Sequence, residues 1–193
     1  MSGRDGPDAT PLDADEATCL IPRHVTNRQE LDTVELANII RGEQWAFSNR
    51  HRDLLSADFI RTLHRRMFDE TWSWAGQFRL TEKNLGIVPL EIAPAVEMLC
   101  ADVIVQLESG TPGLDEIAVR FSHRLVSIHP FANGNGRHSR MMANLLLVDK
   151  GAPRFSWGST DLQRAAAVRQ GYLSALRSAD AGDFAPLLAF VRS

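Results

Sequence analysis

The chain has 193 residues and a formal net charge of −3 at pH 7, with 44% hydrophobic and 23% charged residues. This length suits one domain, and the composition is ordinary for a globular protein with a single core. The weakly acidic balance excludes a global attraction to nucleic acid or an anionic membrane, so we expect neither as a direct partner.

The beginning of the chain predicts little regular structure. Residues 1–17 are rich in Asp, Gly and Pro, so we expect residues 1–20 to form a flexible N-terminal arm and residues 21–193 a single domain. Cys19 and Cys100 have neither metal-site nor disulfide spacing, and we recognise no secretory leader and no apolar run of about 18 residues. We therefore expect a cytoplasmic protein.

Hydrophobic periodicity predicts helices along most of the remaining chain. One begins near Glu30, and the next follows Ser56 as N-cap, with Phe59, Leu63 and Met67 on its buried side. Further helices are predicted over residues 94–109, 115–128, 137–150, 160–179 and 184–192. The stretch FRLTEKNLGIVP (residues 78–89) has strand-like ends around a polar centre, which predicts a β-hairpin or an extended flap. The predicted fold class is all-α with one small β-hairpin.

One zone of this acidic protein is cationic. Residues 117–143 contain four arginines, three histidines and no acid. At the centre of this zone, HPFANGNGRHSR (residues 129–140) joins two predicted helices. Gly134 and Gly136 allow backbone N–H groups to turn to one side, and such a nest before a helix N-terminus binds anions.

The side chains around this loop predict its chemistry. Arg137 and Arg140 can each fork onto a phosphate, and His129 can accept a proton near neutral pH. This combination indicates phosphoryl or nucleotidyl transfer to a protein hydroxyl. The loop is neither a P-loop, which ends in Gly-Lys-Ser/Thr, nor a zinc site, because its histidines lack i, i+4 pairing. A purely structural loop with capping arginines stays the alternative.

The loop resembles the signature of the Fic/Doc family: His, any, Phe, any, Asp or Glu, Gly or Ala, Asn, Gly or Lys, Arg, any two, Arg. Seven of its eight defined positions match, namely His129, Phe131, Gly134, Asn135, Gly136, Arg137 and Arg140. WSWAGQFR, LTEKNLGI and FSHRLVSIHPF extend the resemblance over residues 21–157, and IPRHVTNRQELDTVELANI is similar to the subgroup called mobile mystery protein B. The resemblance implies an all-α Fic-fold helical bundle with a small β-hairpin flap, as one Fic domain over residues 21–193 with its core motif at 129–140.

The resemblance also implies roles and an activity. His129 is the expected general base and Phe131 the core anchor of the loop, while Arg140 holds the γ-phosphate. The expected nucleotide-binding residues are Gly134, Asn135, Gly136, Arg137 and Arg140. Because Gly136 stands where Doc-type kinases carry Lys, the implied enzyme is a protein adenylyltransferase that transfers AMP from ATP, with Mg²⁺, to a Ser, Thr or Tyr hydroxyl of a target protein.

The resemblance implies further contacts outside the motif. A flap of about residues 80–88 would pair with the main chain of the target. The expected docking residues are Thr81, Glu82, Lys83, Asn84, Leu85 and Gly86. The subgroup suggests a mobile element and a helix-turn-helix partner protein.

Asn133 departs from the signature, because adenylylating family members carry Asp or Glu there to hold Mg²⁺. Asn offers one neutral carbonyl oxygen, so it is a weaker candidate metal ligand. Three outcomes stay open: a slow transferase, a transferase with altered nucleotide or metal demand, and a degenerate Fic domain that binds nucleotide or a partner protein without turnover. An adaptor that acts through the flap edge alone is a further alternative.

Residues outside the motif complete the expectations. Many family members carry an inhibitory Glu that pairs with the second motif arginine; Glu30 and Glu35 are the candidates, although neither fits the family pattern fully. The alternative is that both lie on solvated helix faces. Trp72 and Trp74 are expected in the core beneath the flap, and His138 is expected to face solvent.

Overall fold

The computed structural model describes residues 18–25, 28–48, 53–158 and 165–193. These ranges form seven α-helices: α1 Arg28–Ser48, α2 Ala57–Phe68, α3 Ile92–Ser109, α4 Leu114–Ile128, α5 Asn135–Asp149, α6 Ala165–Asp180 and α7 Ala185–Val191. A 3₁₀ turn, Pro89–Glu91, precedes α3. The N-terminal arm up to residue 17 and the predicted beginning of the sixth helix lie outside the described residues. None of the helices described is long and apolar enough to cross a membrane.

Helices α4 and α5 form the centre of the bundle and pack on each other along their length. The predicted inward face of α4, which includes Ile117, Phe121, Leu125 and Ile128, is buried. Helices α3 and α7 cover α4, whereas α1 and α2 pack together and contact α5. The all-α prediction is confirmed for the described residues, and the loop between α4 and α5 lies at the middle of the fold.

Helix α2 begins and packs as its sequence predicts. The Ser56 hydroxyl accepts a hydrogen bond from the Phe59 N–H at 3.1 Å, so it caps the helix. Phe59, Leu63 and Met67 are buried. This helix carries His64 and Phe68 on the same buried side, and both reach the loop between α4 and α5.

The predicted β-hairpin over residues 78–89 is wrong. In the described part of the chain the one β-bridge joins Leu20 to Trp72. The ends of the segment bond to the α4–α5 loop instead of to each other: the Arg79 N–H donates to the Pro130 carbonyl at 2.9 Å, and the Ile87 N–H donates to the Ile128 carbonyl at 3.3 Å. We keep the name flap for residues 80–88, which form an irregular loop.

The Arg79 side chain explains why the flap does not pair with itself. Its guanidinium donates to the Thr81 carbonyl at 2.8 Å and to the Ile87 carbonyl, which lie at opposite ends of the flap. These carbonyl groups are therefore bonded to a side chain, and a two-stranded ladder does not form. Arg79 is only 4% exposed, so these bonds form away from solvent, where lost partners are costly.

Two buried polar side chains fasten α1 to the rest of the bundle. Asn38 accepts a hydrogen bond from the Glu70 N–H at 2.9 Å. Glu35 is 5% exposed and accepts from the Trp72 indole N–H at 2.7 Å and from the Arg137 guanidinium at 3.1 Å. Glu35 therefore joins α1, the segment after α2, and α5.

Replacing Glu35 by Ala should lower the free energy of unfolding by roughly 2 kcal/mol, because it leaves the buried Trp72 N–H without its acceptor. Glu30→Ala, on the same helix at an exposed position, should change the free energy of unfolding by less than about 0.5 kcal/mol. Urea unfolding followed by tryptophan fluorescence measures both. Equal losses of unfolding free energy in the two variants would contradict a stabilising role for the buried hydrogen bonds of Glu35.

Candidate active site

His129 ends helix α4 in a left-handed backbone conformation, with φ 56° and ψ 58°. Few residues other than glycine adopt this region, and here it turns the chain sharply into the loop. The His129 N–H donates to the Leu125 carbonyl at 3.3 Å, and the His129 carbonyl accepts from Arg79 Nε at 2.7 Å. The backbone of the expected base is thus held on both sides.

The surroundings of His129 keep its imidazole neutral. The pKa of His129 is lowered from 6.5 to about 4, chiefly by burial and also by the charges of Arg79 and Lys83, whereas a hydrogen bond to the Val126 carbonyl acts in the opposite direction. Arg137 and Arg140 lie across the same cleft. A neutral imidazole at pH 7 has a lone pair ready to accept a proton.

Phe131 and Asn135 hold the loop in shape. Phe131 is fully buried, which confirms its predicted place in the core. The Asn135 side chain accepts from the Phe131 N–H at 2.9 Å and donates to the Phe131 carbonyl at 2.8 Å. The Asn135 side chain is therefore used inside the loop, and only its backbone N–H lies at the beginning of α5.

His64 is a residue of the site that sequence reasoning missed. Its ring stacks on Phe131 with centroids 3.7 Å apart. Nδ1 accepts from the Gly76 N–H at 3.0 Å, which makes Nε2 the donor to the Asn133 carbonyl at 3.1 Å. Burial holds the pKa of His64 well below its usual value, so it acts as a neutral bridge between two backbone segments.

The two glycines of the loop have different roles. Gly134 has φ 78°, and a Cβ there would lie 2.5 Å from the Phe68 ring, so both conformation and space require glycine. Gly136 has no heavy atom within 4 Å of its Cβ position. No side chain caps α5, so the N–H groups of residues 135–137 are oriented for an anion.

The two motif arginines differ in their partners. Arg140 donates from Nε to the Gly136 carbonyl at 3.2 Å and lies over the Tyr172 ring at 5.3 Å. No carboxylate of the described residues pairs with it. Arg137 lies over Phe68 at 5.1 Å and bonds to Glu35. Of the two motif arginines, Arg140 is therefore the more available to an anionic ligand.

The candidate inhibitory residues take positions that differ from the family expectation. Glu35 is buried, not solvated, and it bonds to the first motif arginine, Arg137, instead of the second. Glu30 is exposed on the first turn of α1. Within the described residues, neither carboxylate forms a salt bridge with Arg140.

A cleft of about 930 Å³ brings most of the predicted residues together. From the predicted set it is lined by His129, Asn133, Gly134, Asn135, Gly136, Arg137, Arg140, Leu85 and Gly86. Helix α6 forms another wall with Tyr172, Leu173 and Leu176. Thr81, Glu82, Lys83 and Asn84 do not line the cleft, and of these only Lys83 is partly buried.

Two expectations about neighbouring residues have opposite outcomes. Trp72 and Trp74 are buried and stack with centroids 5.1 Å apart, which confirms that they belong to the core. His138 does not face solvent: it is fully buried, with Nε2 2.9 Å from the Ile60 carbonyl, and burial lowers its pKa to about 3. Its packing joins α5 to α2.

Comparison with known proteins decides the family. The Fic/DOC family model matches residues 54–147, which include the loop and both helices around it. The chain contains a Fic/DOC family domain. The match runs from just before α2 to within α5, so the residues that line the cleft on α6 lie beyond it.

Relatives of the Fic domain carry related names. The chain is 27% identical over 169 residues to protein adenylyltransferase fic-1 of Caenorhabditis elegans, covering 85% of this chain but only 32% of that protein. It is 27% identical over 163 residues to the probable protein adenylyltransferase y4lH of Sinorhizobium fredii, covering 78% and 81%. The chain therefore spans about a third of the nematode relative's length.

A solved structure shows the same fold. The N-terminal Fic domain of a Bartonella quintana effector, determined with bound ADP, superposes with a TM-score of 0.67 at 18% identity, covering 88% of this chain and 86% of that one. At this identity the likeness establishes the fold of the described residues, which is an all-α Fic bundle.

The residues present do not fit a resident magnesium ion. The Asn133 side-chain oxygen accepts from the Gly134 N–H at 2.7 Å, and its backbone carbonyl is bonded to His64. No group of three or more His, Cys, Asp or Glu side chains suitable for a metal occurs among the residues described. The neutral amide thus replaces the acid of the signature without taking over its charge.

Gly86 was predicted for docking, but its contacts show that it packs on the expected base. It has φ 100°, and a Cβ there would lie 2.5 Å from the His129 Cβ and 2.9 Å from the Ile128 carbonyl. A flap residue therefore limits how His129 can move, and any side chain at position 86 would push the imidazole from its place.

Gly86→Ala should displace His129 toward solvent, and its pKa should rise from about 4 toward 6.5 as burial is lost. Gly110→Ala is the matched control, since Gly110 also has positive φ, 67°, but its Cβ position is open. NMR titration of the imidazole resonances measures the pKa in both variants. An unchanged pKa of His129 in Gly86→Ala would show that the packing of residue 86 does not hold the imidazole in place.

Proposed function

We propose that this Fic domain is a protein adenylyltransferase, which transfers AMP from ATP to a hydroxyl side chain of a target protein. The observation that carries the proposal is that one cleft holds a neutral, buried His129 imidazole, the uncapped N-terminus of α5 and the Arg140 guanidinium. The names of the nematode and Sinorhizobium relatives support it, as does the ADP in the Bartonella structure.

The proposed step uses these groups as follows. The hydroxyl oxygen of a Ser, Thr or Tyr side chain attacks the α-phosphorus of ATP and gives its proton to the neutral imidazole of His129. A phosphorus–oxygen bond forms to the target, the bond from the α-phosphorus to the bridging oxygen breaks, and pyrophosphate leaves. Arg140 and the N–H groups of residues 135–137 stabilise the negative charge on the phosphates.

The space around Gly136 favours AMP transfer over phosphate transfer. Doc-type kinases carry a long cation at this position, whereas here the Cβ position opens into the cleft with no heavy atom within 4 Å. The triphosphate can therefore lie along the beginning of α5 without a side chain at residue 136 between the two. The absence of that cation leaves Arg137 and Arg140 as the motif's charged groups.

The flap is the proposed docking edge for the target. Thr81, Glu82 and Asn84 are exposed, while Leu85 and Gly86 reach the cleft beside His129. A target segment lying along residues 80–88 would bring its hydroxyl to the imidazole. We also propose that the whole site belongs to one domain over residues 21–193. The protein would be cytoplasmic and of the mobile mystery protein B type, with a helix-turn-helix protein as partner.

A second candidate is nucleotide binding without turnover. Two observations favour it: Asn133 replaces the motif acid, and Glu35 already neutralises part of the Arg137 charge. Both would weaken stabilisation of the transition state more than binding of the ground state. In this case ATP would bind in the cleft and no AMP would be transferred.

Incubation with α-labelled ATP and measurement of self-labelling test the proposal. The wild-type chain should incorporate label and His129→Ala should lose it by roughly a hundredfold or more, as expected for a general base. His24→Ala, at an exposed histidine, should label normally. If the wild-type protein binds ATP but incorporates no label, the result would instead support nucleotide binding without turnover.

The pH dependence of the same assay identifies the base. Since His129 titrates near 4, its neutral form persists as pH falls, and the labelling rate should change less than about twofold between pH 7.5 and 5.5. A base with the ordinary pKa of about 6.5 would lose about tenfold over this range. A tenfold loss would therefore contradict a buried, neutral His129 as the base.

A further inference from the structure

The Asn133 side chain presents an unusual group to the cleft. Its only side-chain oxygen accepts from the Gly134 N–H at 2.7 Å. The other end of the amide is an NH₂ group, which donates and cannot accept. Asn133 is half-buried and lines the cleft beside the uncapped beginning of α5.

An amide and a carboxylate at this position would attract ligands of opposite charge. A carboxylate could keep one oxygen on the Gly134 N–H and present the second oxygen to a cation. The amide in the same orientation presents two N–H donors, which repel a cation and bond to an anion. The Asn133 amide can therefore attract phosphate oxygens directly. An acid at the same position would need a metal ion between itself and the phosphates.

We propose that Asn133 binds a nucleotide phosphate directly through its side-chain NH₂ group, so that this domain binds nucleotide without a divalent cation. The inference rests on nucleotide binding in the cleft, as in the proposed function, but not on AMP transfer. It assigns a bare nucleoside di- or triphosphate, not its magnesium complex, as the ligand that the site recognises.

The charges around the cleft suit a metal-free anion. Arg137, Arg140 and Arg169 line it, and Arg140 has no carboxylate partner among the described residues. The single acidic residue of the lining is Asp180, which bonds to His123 at 2.8 Å. Positive charge thus outweighs negative charge, and phosphates can be neutralised by protein groups alone.

The amide is also held in place before any ligand arrives. His64 Nε2 donates to the Asn133 carbonyl, and the Gly76 N–H fixes the opposite nitrogen of the same ring. The loop backbone therefore has little freedom, and the Gly134 N–H selects the amide orientation. A preformed donor costs little conformational entropy when it binds phosphate.

Isothermal titration of the full chain with ATP and with ADP, in excess MgCl₂ or in EDTA, tests the proposal. The wild-type Kd should differ less than about twofold between the two conditions. Asn133→Asp keeps an oxygen for the Gly134 N–H but presents a negative charge, so its Kd should be at least about tenfold weaker in EDTA than in MgCl₂. A wild-type loss of tenfold in EDTA, or an Asn133→Asp variant indifferent to magnesium, overturns the proposal.

A second variant tests the contact itself. Asn133→Ala removes the donor and should weaken binding by roughly three- to tenfold in both conditions, as expected for one hydrogen bond to a charged group. Unchanged affinity of Asn133→Ala in EDTA would overturn the direct contact. Absence of binding by the wild type would overturn both proposals, whereas metal-independent binding without label transfer would overturn only the proposed transferase.

Discussion

The site depends on a buried imidazole, that of His64, which bridges two stretches of backbone. It accepts from the Gly76 N–H, donates to the Asn133 carbonyl and stacks on Phe131 at 3.7 Å. The ring is neutral because burial lowers its pKa. Gly76 is buried and Asn133 is half-buried, so loss of the ring would leave at least the Gly76 N–H without its acceptor. The surface of the loop that lines the cleft can stay open because its opposite surface is fixed by this ring.

Electrostatics within the cleft follow from the same arrangement. Arg79, just before the flap, and Lys83 within it act on His129, and Arg137 and Arg140 of α5 line the cleft, while Glu35 offsets part of the Arg137 charge. In these surroundings a histidine remains unprotonated, and an anion is attracted. Arg79 couples the two properties, because it bonds both ends of the flap and the backbone of His129. The flap and His129 are therefore parts of one hydrogen-bonded unit.

Much of this could be predicted from the sequence. Periodicity and caps gave the helices, as Ser56 and the inward face of α4 illustrate, and the spacing of His129, Gly134 and Arg140 placed them around one loop. The errors have a physical pattern: they concern polar side chains whose hydrogen-bond partners hydrophobic periodicity does not reveal. Arg79 captured carbonyls that a hairpin would have paired, His138 was buried by α2, and Glu35 met Arg137 across 102 residues. His64 had no signal of its own, because a histidine on a helix gives no indication of the backbone groups that will flank it.

The central claim is that the loop after His129 binds the phosphates of a nucleotide within reach of the imidazole. A crystal structure of the chain with a non-hydrolysable ATP analogue tests it most directly. The account predicts phosphate oxygens bonded to the N–H groups of residues 135–137 and to Arg140, with the α-phosphate beside His129. A nucleotide bound elsewhere, or one whose phosphates avoid Arg140 and lie far from His129, would contradict it.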